Sequence, residues 1–275
     1  MLELHPIDQI IKERCPKLMS NRIIWTLIKP SVFKIFKYQT AKSITDDISN
    51  KSGYECFKHL TKLLNFNLKI KNIELVPKNG PIILAGNHPT GLTDGIVMFE
   101  VMKDIRPDYK LYANIDMVKL AKGFADIIIP VDWKAENKTN SKSKEILVRT
   151  KDTLLSGGCL LIFPSSRLSK RVGMKLFERP WLNTIIKLSK KYNAPIVPFH
   201  MDGHNSLFYY FLDVFNEELK NISLFSELVN KRKFQYSITF GDLIKPSTFG
   251  EDLDAETSKI KNYVEFSLGK PPTIL

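Results

Sequence analysis

Short apolar runs alternate with longer amphipathic stretches along most of this chain. Residues 66–70 alternate apolar and polar positions and predict a half-buried strand. Short apolar-rich stretches at 82–84, 110–114, 127–131, 159–163, 195–200 and 235–241 predict further strands, that from Cys159 to Phe163 being the cleanest buried one. Between them, apolar residues at helical spacing predict helices over 52–64, 96–102, 144–155 and 181–191, with Gly157-Gly158 ending the third. A long aromatic-rich helical region spans 207–228, and a closing helix spans 255–268. Residues 135–143 are polar, Lys-rich and without apolar period, which predicts a loop.

The first fifty residues are helical in pattern and unlike the rest. From Asn21 to Tyr38, Trp25, Phe33, Phe36 and several Ile, Leu and Val residues are interleaved with Arg22, Lys29, Lys34 and Lys37. Pro30 should break this stretch into two short helices, since proline removes a donor and clashes with the preceding turn. Two readings fit the pattern equally: helices lying at a membrane interface, or helices packed on the main domain by the same apolar stripe.

Strands alternating with helices predict an α/β fold, a mostly parallel or mixed central sheet flanked by helices. The expected organisation is an N-terminal helical, membrane-docking segment over 1–64 and an α/β domain over 65–275. In such sheets polar loops at strand ends assemble the functional site. Four strand-end loops stand out here, at 86–94, 130–134, 164–171 and 200–206.

Charge sharpens the picture. The formal net charge is +12, which points to an anionic partner such as nucleic acid, an anionic membrane or an acidic substrate. A low-GC genome, which enriches Lys, is the alternative source of part of this excess. No nucleic-acid-binding motif is present, so nucleic acid is not an expected partner. The three cysteines have no CxxC spacing, which argues for a reducing compartment and against a disulfide framework or zinc site. The N-terminus lacks a basic segment followed by an apolar one, so no secretory signal is expected. No run approaches the ~20 apolar residues of a spanning helix, so a membrane-associated form would lie on the bilayer.

The chemistry concentrates in Ala85-Gly86-Asn87-His88-Pro89-Thr90-Gly91-Leu92-Thr93-Asp94-Gly95, between a predicted strand and a predicted helix. Pro89 and Gly91 mark a sharp turn. A carboxylate about one turn from a histidine can hold one ring nitrogen and leave the other to take a proton from a hydroxyl or amine. The same residues also read as a helix cap, with Asp94 capping and His88 merely nearby. No GxSxG elbow and no phosphate-binding glycine motif occurs at a strand end, which disfavours a serine hydrolase and a nucleotide-binding enzyme. Arg167 follows a buried strand and turn and suits a bidentate clamp on phosphate or carboxylate, or a surface position beside Lys170 and Arg171. His200 and His204 lack metal-ligand neighbours and are expected at the rim, and Asp132 is expected to cap or orient a loop.

Four blocks together resemble the glycerolipid acyltransferase superfamily: Asn87-His88-Pro89 with Asp94-Gly95; Ile129-Pro130-Val131-Asp132; Ile162-Phe163-Pro164-Ser165-Ser166-Arg167-Leu168-Ser169; and Ile196-Val197-Pro198. The resemblance runs from about Ile70 to Phe240, roughly three-fifths of the chain. It implies acyl transfer from a thioester, acyl-CoA or acyl carrier protein, to a lysolipid hydroxyl. It implies His88 as general base, Asp94 as its partner, and substrate binding by Asn87, Gly91, Ser165, Ser166 and Arg167, with no metal and no cofactor.

Departures from the pattern bear on the acceptor. Five residues separate His88 from Asp94, as in the branch written Asn-His-Pro-x-Gly-x-x-Asp-Gly, which includes hemolysin-like and aminolipid acyltransferases. Ser165 and Ser166 stand where Glu and Gly are usual, Arg167 comes one position early, and Trp133 with Lys134 replaces the Arg that often ends the second block. The expected acceptor is 1-acyl-glycerol-3-phosphate-like. A lyso-aminolipid of the lyso-ornithine type is the alternative, and a non-enzymatic basic module on membranes or nucleic acid comes last. The expected location is the cytoplasmic face of the inner membrane, peripherally bound. A turn-and-cleft pair is not core packing, so substitutions at His88 and Asp94 are expected to leave the fold intact.

Overall fold

The computed structural model describes residues 4–132 and 139–274. Its strands are β1 Asn67–Lys71, β2 Ile82–Gly86, β3 Lys110–Asn114, β4 Ile128–Val131, β5 Cys159–Ile162, β6 Lys170–Val172, β7 Lys175–Phe177, β8 Ile196–Asp202 and β9 Gln235–Phe240. Its α-helices are α1 Pro6–Arg14, α2 Pro16–Ser20, α3 Arg22–Ile35, α4 Tyr38–Ile48, α5 Gly53–Leu64, α6 Leu92–Met102, α7 Asp116–Leu120, α8 Asn140–Leu155, α9 Thr184–Tyr192, α10 Leu207–Phe215, α11 Glu217–Asn230 and α12 Leu253–Asn262.

Seven strands form one sheet in the order β1-β9-β8-β2-β5-β3-β4. The β8–β9 pair is antiparallel and the other neighbours are parallel, so the sheet is mixed but mostly parallel, as the alternating pattern predicts. All residues of β2 and β5 are buried. Their side chains alternate between two layers. Ile82, Leu84 and Leu161 join the core under α5 and α6, while Ile83, Ala85, Leu160 and Ile162 join the core under α9 and α12. A strand covered on both faces has no polar side, which is why these two read as unbroken apolar runs.

Helix α5 shows how local sequence and packing agree. Ser52 and Glu55 form a reciprocal capping box, and Asn65 ends the helix in the left-handed conformation. Cys56, Phe57, Leu60 and Leu64 recur at helical spacing and are buried in the main core. Fully burying a Phe or Leu side chain stabilises by about 1.5–3 kcal/mol, so this face fixes the helix on the sheet. Helices α1, α3 and α4 gather instead in a separate cluster with α10 and α11, through Ile7, Trp25, Val32, Phe36, Leu212 and Ile222.

Several expectations are corrected. Pro30 lies inside one continuous helix, α3, and does not split it. Pro30 and Thr26, whose carbonyl loses its partner, are both exposed, so water can satisfy that carbonyl. The break comes at Lys37, whose φ of 54° is left-handed. Of the two readings of the basic, aromatic stretch, Trp25 and Phe36 follow the packing one and form the buried seam of α3. Residues 140–143 belong to α8, capped by Thr139, rather than to a loop. The early part of α8 is solvent-facing and therefore shows no apolar period. The remainder of that expected loop, 135–138, lies outside the described residues, as do Trp133 and Lys134. The aromatic-rich region is two helices, α10 and α11, parted at Asn216, whose side chain caps the second. The β6–β7 hairpin, of three residues a side, was not legible.

The register brings the strand ends together. Ala85 pairs with Ile162 of β5 and with Pro198 of β8. Because β2, β5 and β8 run parallel, their carboxyl ends and the loops that follow share one edge of the sheet. Strand β4 points the same way but stands two strands beyond β5 from β2's other side, past β3.

His200 is not at a rim. It is buried on β8, with Nδ1 3.0 Å from the Val264 carbonyl of the π-helical turn Tyr263–Leu268. Burial holds its pKa below the ordinary 6.5, against the opposing charges of Asp202 and Glu265. The unfolded chain therefore takes up this proton first. Stability is present above pH 6.5 and declines as pH falls through the buried group's own, lower titration. We expect His200→Leu to be less stable than wild type at pH 8 by urea unfolding, with a gap that narrows toward pH 5. A gap that is constant with pH would exclude this role.

Candidate active site

The site is built on the turn between β2 and α6. At its start, a Cβ on Gly86 would lie 2.3 Å from the Phe199 ring, so only glycine lets β2 pass β8 this closely. Asn87 follows. Its carboxamide donates to the Met201 carbonyl at 2.8 Å and accepts from the Met201 N–H at 2.7 Å. Expected to bind substrate, Asn87 is placed by the structure as a buried tie between the β2 exit and β8.

His88 comes next, its ring stacked on Phe163 with centroids 4.2 Å apart and planes 15° apart. Its Nδ1 lies 2.8 Å from Asp94 Oδ2. A carboxylate accepts, so Nδ1 carries the hydrogen and Nε2 is the acceptor in the neutral ring. Nε2 has no hydrogen bond among the described residues, and the side chain keeps 18% exposure. The imidazole thus offers a basic nitrogen to whatever enters from the strand edge.

Asp94 is fully buried at the third position of α6. Its Oδ2 also accepts from the backbone N–H of Thr90 and of Gly91, both at 3.0 Å, and Oδ1 accepts from Thr90 Oγ1. These donors, with the positive end of the helix dipole, offset the cost of burying the charge. The two readings of the motif are therefore both realised, since Asp94 caps the helix and holds the histidine. Gly91 makes the turn possible, with φ of 90° and ψ of −116°. Its N–H is committed to Asp94 rather than presented to a ligand.

A polar ring backs the pair. Tyr236 Oη lies 3.1 Å from Thr90 Oγ1 and 3.2 Å from Thr93 Oγ1. Burial first, and the Asp94 charge second, push the Tyr236 phenol well above its ordinary value, so it remains a donor. Asn205 Nδ2 donates to the Thr90 carbonyl at 3.2 Å, tying the loop after β8 to the motif.

The third block lies alongside. Ser169 N–H donates to the His88 carbonyl at 2.9 Å. Ser165 is buried and donates to the Arg167 carbonyl at 2.8 Å, while Ser166 is exposed in the left-handed conformation. Arg167 is exposed and has no hydrogen bond or ion pair among the described residues, so its guanidinium is open to a ligand. Two neighbours escaped the sequence reading. Glu178 is buried and accepts from His88 N–H at 3.1 Å, Ser169 Oγ at 2.7 Å and Trp181 Nε1 at 3.3 Å. Burial raises its pKa, opposed by the hydrogen bonds from Ser169 and the His88 backbone. Arg179 is half-buried and donates through Nε to the Leu168 carbonyl at 3.0 Å. Neither residue belongs to a recognisable motif; the signal was only a lone Glu-Arg pair closing a basic hairpin. Among the described residues no three His, Cys, Asp or Glu gather as a metal site.

The chain is similar to known acyltransferases. A family model described as acyltransferase matches residues 67–202, from β1 to the end of β8. The chain is an acyltransferase and is similar to the glycerolipid acyltransferase superfamily. It is 27% identical over 210 residues to the lyso-glycine lipid O-acyltransferase of Phocaeicola vulgatus, covering 74% of this chain and 73% of that protein. It is 25% identical over 254 residues to the lyso-glycine lipid O-acyltransferase of Bacteroides thetaiotaomicron, covering 90% and 91%. The crystal structure of the 1-acyl-sn-glycerophosphate (LPA) acyltransferase PlsC from Thermotoga maritima aligns over 95% of both chains, with a TM-score of 0.49 and 12% identity. This acyltransferase therefore carries its His88–Asp94 pair within the matched domain, and the second and third blocks fall inside it as well.

Gly91 offers a direct check on the turn. A Cβ there would meet Leu168 at 3.1 Å, in a backbone region that L-residues rarely adopt. Gly91→Ala should lower stability by about 1–3 kcal/mol, read by urea unfolding, and reduce turnover because the loop holding His88 shifts.

Proposed function

We propose that this acyltransferase moves a fatty acyl group from an acyl thioester to the hydroxyl of a lysolipid, with His88 as general base. The observation that carries the reading is the open Nε2 of an imidazole whose Nδ1 is fixed by a buried carboxylate 2.8 Å away. The acceptor hydroxyl gives its proton to Nε2 as its oxygen attacks the thioester carbonyl. Asp94 stabilises the imidazolium that forms. The tetrahedral intermediate then collapses, the carbon–sulfur bond breaks, and the departing thiolate takes the proton back from the imidazolium. The donor is an acyl carrier protein or acyl-CoA; both are anionic and suit a chain of net charge +12.

For the acceptor, the two relatives named for a lyso-glycine lipid move the aminolipid reading ahead of the glycerophosphate one. An N-acylated glycine headgroup ends in a carboxylate, which a planar guanidinium binds through two parallel hydrogen bonds. Arg167, with Arg179 anchored behind the same loop, is the proposed clamp. Ser165 and Ser166 shape that loop, and Asn87 and Gly91 position His88. The enzyme works from the cytoplasmic face of the inner membrane, bound peripherally; no helix among the described residues is long and apolar enough to cross a bilayer.

His88→Ala should lower single-turnover acyl transfer by about 10²–10⁴-fold while the protein still binds lysolipid. Asp94→Asn should be severely impaired too. Because Asp94 is buried with several donors, it should also lose roughly 1–3 kcal/mol of stability, unlike a residue lying free in a cleft. Near wild-type turnover in folded His88→Ala protein would refute the mechanism.

Arg167→Ala should raise the acceptor KM about tenfold or more and leave the donor KM unchanged, since a charged hydrogen bond contributes roughly 1.5–3 kcal/mol. Arg167→Lys should recover only part of this, because the fork is lost. Steady-state titration of each substrate separates the two effects, and an unchanged acceptor KM would assign the anion to Arg179 alone.

A further inference from the structure

Helix α10 is the feature that the acyl-transfer chemistry does not use. Tyr209, Tyr210 and Leu212 face the protein and are buried. Leu207, Phe208, Phe211, Val214 and Phe215 turn outward, with 45–69% of each exposed. The one charged residue of the helix, Asp213, is engaged by Lys220 at 2.8 Å. The outward face is therefore wholly apolar, where a surface helix of a water-soluble domain presents polar side chains. A patch of this kind marks an interaction site.

The neighbouring helix extends it. The seam of α3, formed by Trp25, Val32 and Phe36, packs in one cluster with Leu212, and the Phe36 and Phe208 rings lie 6.0 Å apart. At 100° per residue, Ile23 and Leu27 fall opposite that seam, and they are 75% and 73% exposed. Arg22, Lys29, Lys34 and Lys37 are exposed on or beside the same helix, and residues 21–38 hold no acidic residue. On the same wheel Lys34 falls among the outward residues and Arg22 and Lys29 to the side, so an exposed apolar surface carries cations on and beside it, which complements a bilayer with anionic headgroups. At 1.5 Å per residue, the nine residues of α10 and the fourteen of α3 span roughly 14 and 21 Å, short of the ~30 Å hydrocarbon core, so both would lie in the interface.

We propose that the outward face of α10, together with that of α3, is seated in the interfacial layer of an anionic lipid membrane. This surface is coupled to the active site. Helix α10 begins two residues after Asn205, whose side chain bonds the Thr90 carbonyl and whose N–H bonds Tyr210 Oη at 3.0 Å. Seating α10 places the cleft at the leaflet from which a lipid acceptor would leave, a purpose that rests on the lysolipid reading. The seating itself is measured without turnover.

The test uses Phe211→Ser/Phe215→Ser in the full chain, with circular dichroism to confirm the fold. Co-sedimentation with vesicles of phosphatidylglycerol and phosphatidylethanolamine should show a tenfold or greater loss of partitioning. Turnover of lysolipid presented below its micellar concentration should be unchanged, while turnover of vesicle-borne lysolipid should fall. Arg22→Gln/Lys29→Gln/Lys34→Gln should weaken binding at low salt and make it less salt-sensitive. Partitioning of the folded double serine variant equal to wild type would overturn the proposal. So would a concentration-dependent dimer in solution that the serine variant dissolves, since the face would then belong to a second copy.

Discussion

The carboxylate of Asp94 is the contact on which the rest of this site depends. It is a full charge with no exposure to water, tolerable because four donors converge on it. Those donors come from Thr90, Gly91 and His88. One group therefore fixes the start of α6, the path of the turn and the tautomer of the imidazole. Because the sheet is mostly parallel, the same turn lies beside the loops leaving β5 and β8, and each adds a restraint. Ser169 and Glu178 hold the His88 backbone from one side, and Asn205 holds Thr90 from the other. Pre-organisation of this kind is what the proposed general base would need to act without reorganising at the moment of proton transfer.

Two buried glutamates show how differently a carboxylate can be used in one protein. Glu178 sits among Ser165, Ser169, Trp181 and the His88 backbone, and burial pushes its pKa up. Glu227 is paired with Lys231 at 3.2 Å and accepts from Ser206 at the start of α10. The first stabilises the turn that carries His88, and the second anchors the helix that carries the apolar outer face. Replacing either by a smaller group would leave donors buried without partners, which costs more than the hydrogen bonds themselves contribute. The chemistry and the outer face are thus held in one polar framework, although their side chains serve opposite solvents.

The alternation of apolar runs with helical stretches determined the fold class, because a strand buried on both faces has no alternative to a continuous apolar sequence. The central strands β2 and β5 were legible for that reason, and β1 and β9 were legible from their alternation of apolar and polar positions. The His88–Asp94 pair was legible too, since its six-residue spacing across a strand-to-helix turn is local. The β6–β7 hairpin was not. Three-residue strands with exposed Lys170, Arg171 and Lys175 carry no burial pattern to read.

Tertiary structure alone decided which side of each apolar helix faces in. Helix α3 is apolar nearly all round, so its sequence could not rank Trp25 and Phe36 against Ile23 and Leu27. Contact with Leu212, nearly two hundred residues away, buries the aromatics and leaves the aliphatics outside. Pro30 was tolerated within α3 because that part of the helix faces solvent, a fact of packing rather than of propensity. Glu178 and Arg179 reach the site only because the hairpin folds back on the loop after β5, and no local pattern records a contact between residues ninety positions apart. Sequence fixes what neighbouring residues can do to one another. Which distant groups share a buried charge or an outer surface depends on how the sheet brings its edges together.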